Sequence, residues 1–451
     1  MHTPEPVSAA VPAVVLTLLA AAKDRRLVVC VGAGVSIAED ACLPSGAKLG
    51  QLLDARLQGR LEGYVSPDDV CDLIAVADNA VQLAGGLESL QPEILELADF
   101  KRATPNYGHQ VLGLLLAEGA LTALSWNWDS CIERSVSGEL LDVARTKEDM
   151  ENLPNTQLAK VHGCATMPPT LLITSEQLTK PPVWTDQMFA ERIRGSVMVF
   201  IGIGDVADYA QRRLQQLLDE FSPPDVRVVS RSIRTSWTES RWATVLPELP
   251  EEKRIEEDAD VFLDALARAW ARELLEHLHT DCAAMSDELK AGVERVIDAV
   301  GQLSSVRLLR WCRASVDRPS PGESAVRAQN TGDVMLAAGV LAATSDAPVH
   351  TPRPACCSIG DNSLELLVMR DRANASDVKR EARRRAEELA SSNQVPGGTV
   401  RFLVGGTVVG GLDSDTDDVL AGPEDPTDIV VGPHASRITY LKASAVLEQA
   451  A

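Results

Sequence analysis

From Leu27 to Val31 five apolar residues, three of them valine, run unbroken into Gly32-Ala33-Gly34. Such a run reads as a strand buried on both faces, and the glycines after it let the backbone turn sharply and approach a ligand closely. A strand entering a loop of this kind suggests a phosphate cradle, where amide N–H groups beside a helix N-terminus bind a pyrophosphate without a cationic side chain. A tight strand-to-helix turn with no ligand fits the same residues. The third glycine of the dinucleotide fingerprint is absent, because the chain continues Val35-Ser36-Ile37-Ala38, and the lack of Gly-Lys-Ser/Thr excludes a P-loop.

The same transition recurs along the chain. Leu121-Thr122-Ala123-Leu124-Ser125 delivers Trp126-Asn127-Trp128-Asp129, Leu158-Ala159-Lys160-Val161 delivers His162-Gly163, and Val197-Met198-Val199-Phe200-Ile201 breaks into Gly202-Ile203-Gly204. Helical patterns lie between them: 47–61, 68–100 with a break near Gly85-Gly86, one opened by Pro105-Asn106, and 259–279. A further strand is expected near Val226. Strands alternating with helices predict a doubly wound, Rossmann-like parallel sheet with helices on both faces, whose ligands bind at the C-terminal ends of the strands. Asn127 and Asp129 are placed there, where they fit equally well as caps of the next helix. His162 is placed there too, and an imidazole titrates where it can take a proton from a ribose hydroxyl or from water. His109, at the start of its helix, reads as a packed or capping residue.

The formal net charge of −22 over 451 residues argues against direct nucleic-acid binding, which uses clustered Lys and Arg. The nine cysteines include no Cys-x-x-Cys pair, a pattern of reduced thiols in a cytoplasmic protein, with no zinc ribbon. The apolar stretch 7–22 reads as a leading helix, since no Lys or Arg precedes it and Pro12 interrupts it. No later run is long enough to span a bilayer.

Taken in order, Gly-Ala-Gly-Val-Ser at 32–36, Leu-Pro-Ser at 43–45, Trp-Asn-Trp-Asp at 126–129, Lys-Val-His-Gly at 160–163, Phe-Ile-Gly at 200–202 and Ala-Asp-Val-Phe-Leu at 259–263 resemble the motifs of sirtuin-like domains. The set looks like the bacterial antiphage-defence branch that hydrolyses NAD, and it covers about residues 20–275. The resemblance implies that Gly32, Ala33, Gly34 and Ser36 hold the NAD pyrophosphate and ribose, and that Asn127 and Asp129 contact the nicotinamide ribose and orient water. His162 would be the base, and Gly202 and Gly204 would border the adenosine. Cleaving the nicotinamide–ribose bond develops an oxocarbenium-like carbon, which needs positioned polar groups and a base more than a metal. Two departures stand out: Ser125-Trp126-Asn127-Trp128-Asp129 replaces the usual Thr-x-Asn-Tyr-Asp, and Gly202-Ile203-Gly204 replaces Gly-Tyr-Ser. Protein deacetylases of the family carry a four-cysteine zinc module, against which the cysteine spacing counts. A catalytically silent nucleotide-binding scaffold, assembling with a partner such as a ring-forming ATPase, is the alternative of a different class.

Three regions are expected: residues 1–280 as the NAD-binding domain, 281–350 as a helical connecting segment, and 351–451 as a small α/β domain. In the last, a strand is expected at 364–368, a charged helix at 376–389, a hairpin at 400–409 turning at Gly405-Gly406, and strands at 429–431 and 438–441. Interleaved glutamates make the basic cluster at 379–385 a solvated helix face. The Asp413-x-Asp415-x-Asp417 run echoes a calcium loop, but Asp418 stands where that loop needs glycine. In the family such appended domains sense an infection signal or hold a homo-oligomer together, and an unregulated NADase would kill its host.

Overall fold

The computed structural model describes residues 11–136, 141–153, 155–204, 208–231, 233, 237–313, 324–345, 347–351, 356–360, 362–369, 373–374, 376–378, 380–382, 384–385, 400–405, 408–409 and 438–450. The calcium-like run at 413–418 and the strand expected at 429–431 lie outside them. The chain divides into two compact units, Met1–Ala269 and Trp270–Ala451.

The first unit is a Rossmann-like α/β fold. Its seven strands are β1 (Leu27–Val31), β2 (Thr122–Ser125), β3 (Val143–Ala144), β4 (Leu158–Lys160), β5 (Val197–Ile201), β6 (Asp225–Val229) and β7 (Arg254–Ile255), in the order β3-β4-β2-β1-β5-β6-β7. Every pairing is parallel. All five residues of β1 are buried, as a central strand covered on both faces requires. The chain leaves β1 for β2 on one side and later returns to β5 on the other, pairing Val31 with both Ser125 and Ile201. The reversal between β1 and β5 is the topological switch point, where open sheets of this kind take their ligands.

Helices complete the layers. α1 (Val11–Lys23) precedes β1, and the short α2 (Gly34–Ile37) follows its glycine loop. Three helices, α3 (Gly46–Gln58), α4 (Leu73–Ala80) and α5 (Leu87–Leu95), form a cluster of their own around Leu53, Val76, Leu90 and Ile94. Ser45 caps α3 by accepting the Lys48 amide, and Asp72 caps α4 by accepting those of Ile74 and Ala75. α6 (Tyr107–Ala117) is buried along most of its length; α7 (Cys131–Ser135), α8 (Lys147–Asn152), α9 (Ser175–Thr179), α10 (Val183–Ile193), α11 (Asp208–Phe221) and α12 (Trp242–Val245) follow. α13 (Ala259–Asp281) carries the boundary between the units.

The second unit contains a five-stranded mixed sheet in which strands 400–405, 362–368 and 438–442 run parallel while the pairings of 356–359 are antiparallel. The hairpin expected at 400–409 is not formed. Val400–Gly405 lies between Asn362–Val368 and Ile438–Lys442, and Val408–Val409 pairs in a separate sheet with Ala373–Asn374. Phe402, Leu403 and Val404 are consecutive and all buried, the mark of an interior parallel strand rather than of a hairpin arm with one wet face. Among the described residues no helix is long and apolar enough to cross a membrane.

Candidate functional site

The C-terminal ends of β1, β2, β4 and β5 open into one cavity of about 680 Å³, within the usual size of a small-molecule site. Gly32, Ala33, Gly34 and Ser36 line it from β1, Asn127 and Asp129 from β2, His162 from β4, and Gly202 and Gly204 from β5. Residues 43–49 and 69–74, at the starts of α3 and α4, supply the facing wall. All nine residues singled out in the sequence therefore meet at the switch point.

The glycines do something other than present free amides. Gly32 donates its N–H to the Ile201 carbonyl at 3.0 Å and Gly34 donates to the Gly202 carbonyl at 2.7 Å, while the amides of Val35 and Ser36 bond back to Gly32 and Ala33. Only the Ala33 amide in this run has no protein acceptor among the described residues. A Cβ on Gly34 would stand 2.7 Å from the Gly202 carbonyl oxygen, and one on Gly202 2.6 Å from the Val35 nitrogen, with Gly202 itself at φ +60°. The two glycine loops are thus packed backbone to backbone, which only residues without a side chain permit. The amide cradle expected from Gly32-Ala33-Gly34 is reduced to a single N–H.

The cavity floor is built on a buried polar network. Ser36 Oγ donates to Asp129 Oδ2 at 2.9 Å, lies 3.0 Å from His109 Nε2, and accepts Asn127 Nδ2 at 3.1 Å. Asn127 Nδ2 also donates to the Gly32 carbonyl at 3.0 Å, so its amide hydrogens are spent on protein and Oδ1 is left to accept from a ligand. Asp129 Oδ1 accepts the Cys131 amide at 3.0 Å, and the buried Lys160 ammonium donates to the Asp129 carbonyl. Burial alone would raise the Asp129 carboxyl, but Lys160, His109 and the donors from Cys131 and Ser36 outweigh it and hold its pKa below the ordinary value. With both oxygens engaged, Asp129 orients Ser36 and ties β2 to β1.

His109 is the member of this network that the sequence marks as a packed or capping residue, and it is fully buried. It does form a capping box with Asn106, whose side chain accepts the His109 amide while His109 Nδ1 accepts the Asn106 amide. Its other nitrogen reaches Ser36, a contact with no local sequence signal. Burial pushes its pKa down, with Lys160 adding to the effect and Asp129 opposing it, so the ring is neutral at pH 7. His109, Asp129 and Cys131 bring potential ligand atoms within 4.8 Å of one another. They do not suit a metal: the imidazole and carboxylate atoms are committed to protein partners, and burial followed by the Asp129 charge pushes the Cys131 thiol far up, away from the thiolate a metal binds.

His162 is held differently. Its ring stacks on Trp126 with centroids 5.4 Å apart and planes 6° from parallel, and its nitrogens make no hydrogen bond to protein among the described residues. Its edge is partly exposed within the cavity wall, yet desolvation lowers its pKa to about 4. The enlarged residues around Asn127 have separate tasks: Trp126 supports His162 and Trp128 meets Phe100 edge-on at 6.0 Å against the α3–α5 cluster. Arg241, which opens α12, was not singled out in the sequence. Its exposed side chain is the one arginine or lysine on the cavity wall among the described residues, and neighbouring Trp242 is fixed by donating Nε1–H to the Gly204 carbonyl at 3.1 Å.

No model of a known protein family matches the chain, and no curated protein matches it. Fold and cavity define a Rossmann-like α/β protein with a ligand-sized site at its switch point.

Proposed function

We propose that the first unit is an NAD hydrolase and that NAD, as substrate, occupies the switch-point cavity with its nicotinamide–ribose bond facing Asn127 and His162. The observation carrying this reading is the meeting of those two side chains with both glycine loops in one cavity. Asn127 Oδ1 accepts from the ribose or from the attacking water. The water oxygen bonds to the anomeric carbon as the carbon–nitrogen bond breaks; nicotinamide leaves neutral with the bonding electrons, and His162 receives the water proton. A neutral imidazole is the form that can accept it, and burial keeps His162 neutral at pH 7. In this reading the protein is a cytoplasmic antiphage effector that depletes NAD, and residues beyond about 280 sense a signal or hold a homo-oligomer together.

One observation favours the second reading, a nucleotide-binding scaffold that works with a partner ATPase: the amides of Gly32 and Gly34 are already spent on the facing loop. Incubating the full chain with NAD, with and without a candidate activator, and following nicotinamide by chromatography separates the two. Hydrolysis predicts nicotinamide release that Asn127→Ala and His162→Ala abolish while the protein stays folded. NAD binding without nicotinamide release under any condition selects the scaffold.

A further inference from the structure

A second cavity, of about 400 Å³, lies beside the first on the outer side of the β4 end. Its floor is apolar, built from Val161, Leu172 and Trp184, all buried. Its charged lining consists of Arg145, Lys147 and Lys180, with no carboxylate among the described lining residues, in a chain whose net charge is −22.

The hydrogen-bonding capacity that remains here is cationic. Gln177 Oε1 accepts the Ile173 and Thr174 amides and its Nε2 donates to the Leu171 carbonyl, while Thr185 Oγ1 donates to the Pro182 carbonyl. By contrast, the Arg145 side chain is 25 % exposed, and its one side-chain partner among the described residues is Glu133, to which Nη2 donates at 3.2 Å. The Lys180 ammonium is exposed and has no protein acceptor among the described residues. Lys147 makes only an exposed pair with Glu151 at 3.3 Å, of a kind that contributes little and exchanges readily. A hollow offering donors above an apolar floor complements a small molecule with an apolar body and a strongly anionic head.

We propose that this cavity is a binding site for a phosphate-bearing small molecule of about mononucleotide size, separate from the switch-point cavity. The phosphate would lie between Arg145, Lys147 and Lys180, and the body of the molecule on Val161, Leu172 and Trp184. The site adjoins the turn that carries His162. Gly163 stands at φ +92° with its α-carbon packed on the Thr170 carbonyl, and the Leu172 amide donates to the His162 carbonyl at 3.2 Å. Occupancy therefore bears on the backbone beneath His162, whatever the chemistry of the larger cavity.

The test is calorimetric titration of inorganic pyrophosphate into the full chain carrying Arg241→Gln, which removes the only arginine or lysine of the larger cavity's described wall. Binding is expected at millimolar pyrophosphate, weakening with ionic strength, and falling at least fivefold on adding Lys180→Glu. Lys180 is exposed, so that substitution leaves the fold intact; Arg145→Gln, which also loosens the Glu133 pair, is the second variant and is expected to act in the same direction. No binding, or a loss smaller than fivefold with Lys180→Glu, overturns the proposal. Because the readout is pyrophosphate affinity and not nicotinamide release, it is independent of the NAD hydrolase reading.

Discussion

His109 Nε2 lies 3.0 Å from Ser36 Oγ, and the proton between them belongs to the histidine. The other ring nitrogen accepts the Asn106 amide, which leaves a neutral imidazole with its hydrogen on Nε2. Ser36 therefore accepts from His109 and Asn127 and donates its own proton to Asp129. A serine, a histidine and an aspartate in contact invite comparison with a nucleophilic triad, but here the histidine has no lone pair to take the serine proton. The network is a brace between β1, β2 and α6.

Ser36→Ala follows from this geometry. The substitution leaves the buried Asp129 carboxylate short of a donor and Asn127 short of an acceptor, at a cost of about 1–3 kcal/mol. A thermal midpoint lowered by several degrees with residual nicotinamide release is expected. Release lost completely at an unchanged midpoint would mean that Ser36 takes part in the chemistry.

Acid should weaken the fold in two stages. His109 and His162 both have lowered pKa values, so the unfolded chain binds protons more readily than the folded one as pH drops below the ordinary histidine value of about 6.5. Their contribution is whole above that pH and is lost on the way down through the folded values. Asp129, also lowered, contributes above the ordinary carboxylate value and loses it only in stronger acid. Denaturation midpoints measured between pH 7.5 and 3.5 should begin to fall near pH 6.5. If His162 is the base of the proposed hydrolysis, nicotinamide release should keep its acid limb near pH 4; a limb near 6.5 would place the essential base elsewhere.

The parallel sheet was legible because each of its main strands is a short apolar run cut off by glycine or a polar cluster, a pattern that survives without any knowledge of neighbours. β3 and β7 were not, since two residues carry no period. The helix Ser324–Ala343 lies in the segment 281–350 expected to be helical, but its bounds were not legible for the opposite reason: Val334 to Ala338 are buried in unbroken succession, leaving no wet face to mark a helical repeat. At the site, Asn127 and His162 stand where strand-end chemistry put them. What local sequence could not carry is partnership across the chain, such as His109 with Ser36 or the Gly34 amide with the Gly202 carbonyl. Gly405-Gly406 misled because a glycine pair reads as a turn even where strand pairing is decided by buried neighbours.

Glycine substitutions should separate packing from ligand contact. Gly34→Ala and Gly202→Ala force a methyl against backbone atoms that cannot step aside, and both should lower the thermal midpoint markedly. Gly204 has open space around its α-carbon and an ordinary φ, so Gly204→Ala should fold as the parent does. If Gly204 borders the ligand, that variant changes the KM for NAD without changing stability. Identical KM values would remove Gly204 from the site.

Arg241 carries the last expectation. Of the amides between Gly32 and Ser36 only that of Ala33 lacks a protein acceptor, and His162 is neutral at pH 7, so a diphosphate in the larger cavity has one described cation to meet. Asp69 and Asp72 stand on the facing wall, which disfavours an anionic ligand segment beside α4 and, on the hydrolase proposal, would suit the cationic nicotinamide. Replacing a guanidinium that contacts phosphate typically removes a charge-assisted bond of about 1.5–3 kcal/mol, which corresponds to roughly 10–150-fold in affinity. Arg241→Gln should therefore raise the KM for NAD at least tenfold while kcat stays within a few-fold. Affinity for nicotinamide riboside, which carries the same reacting bond without phosphate, should not change. A variant that loses both ligands equally would show Arg241 shaping the loop at Gly204 instead of holding the phosphate.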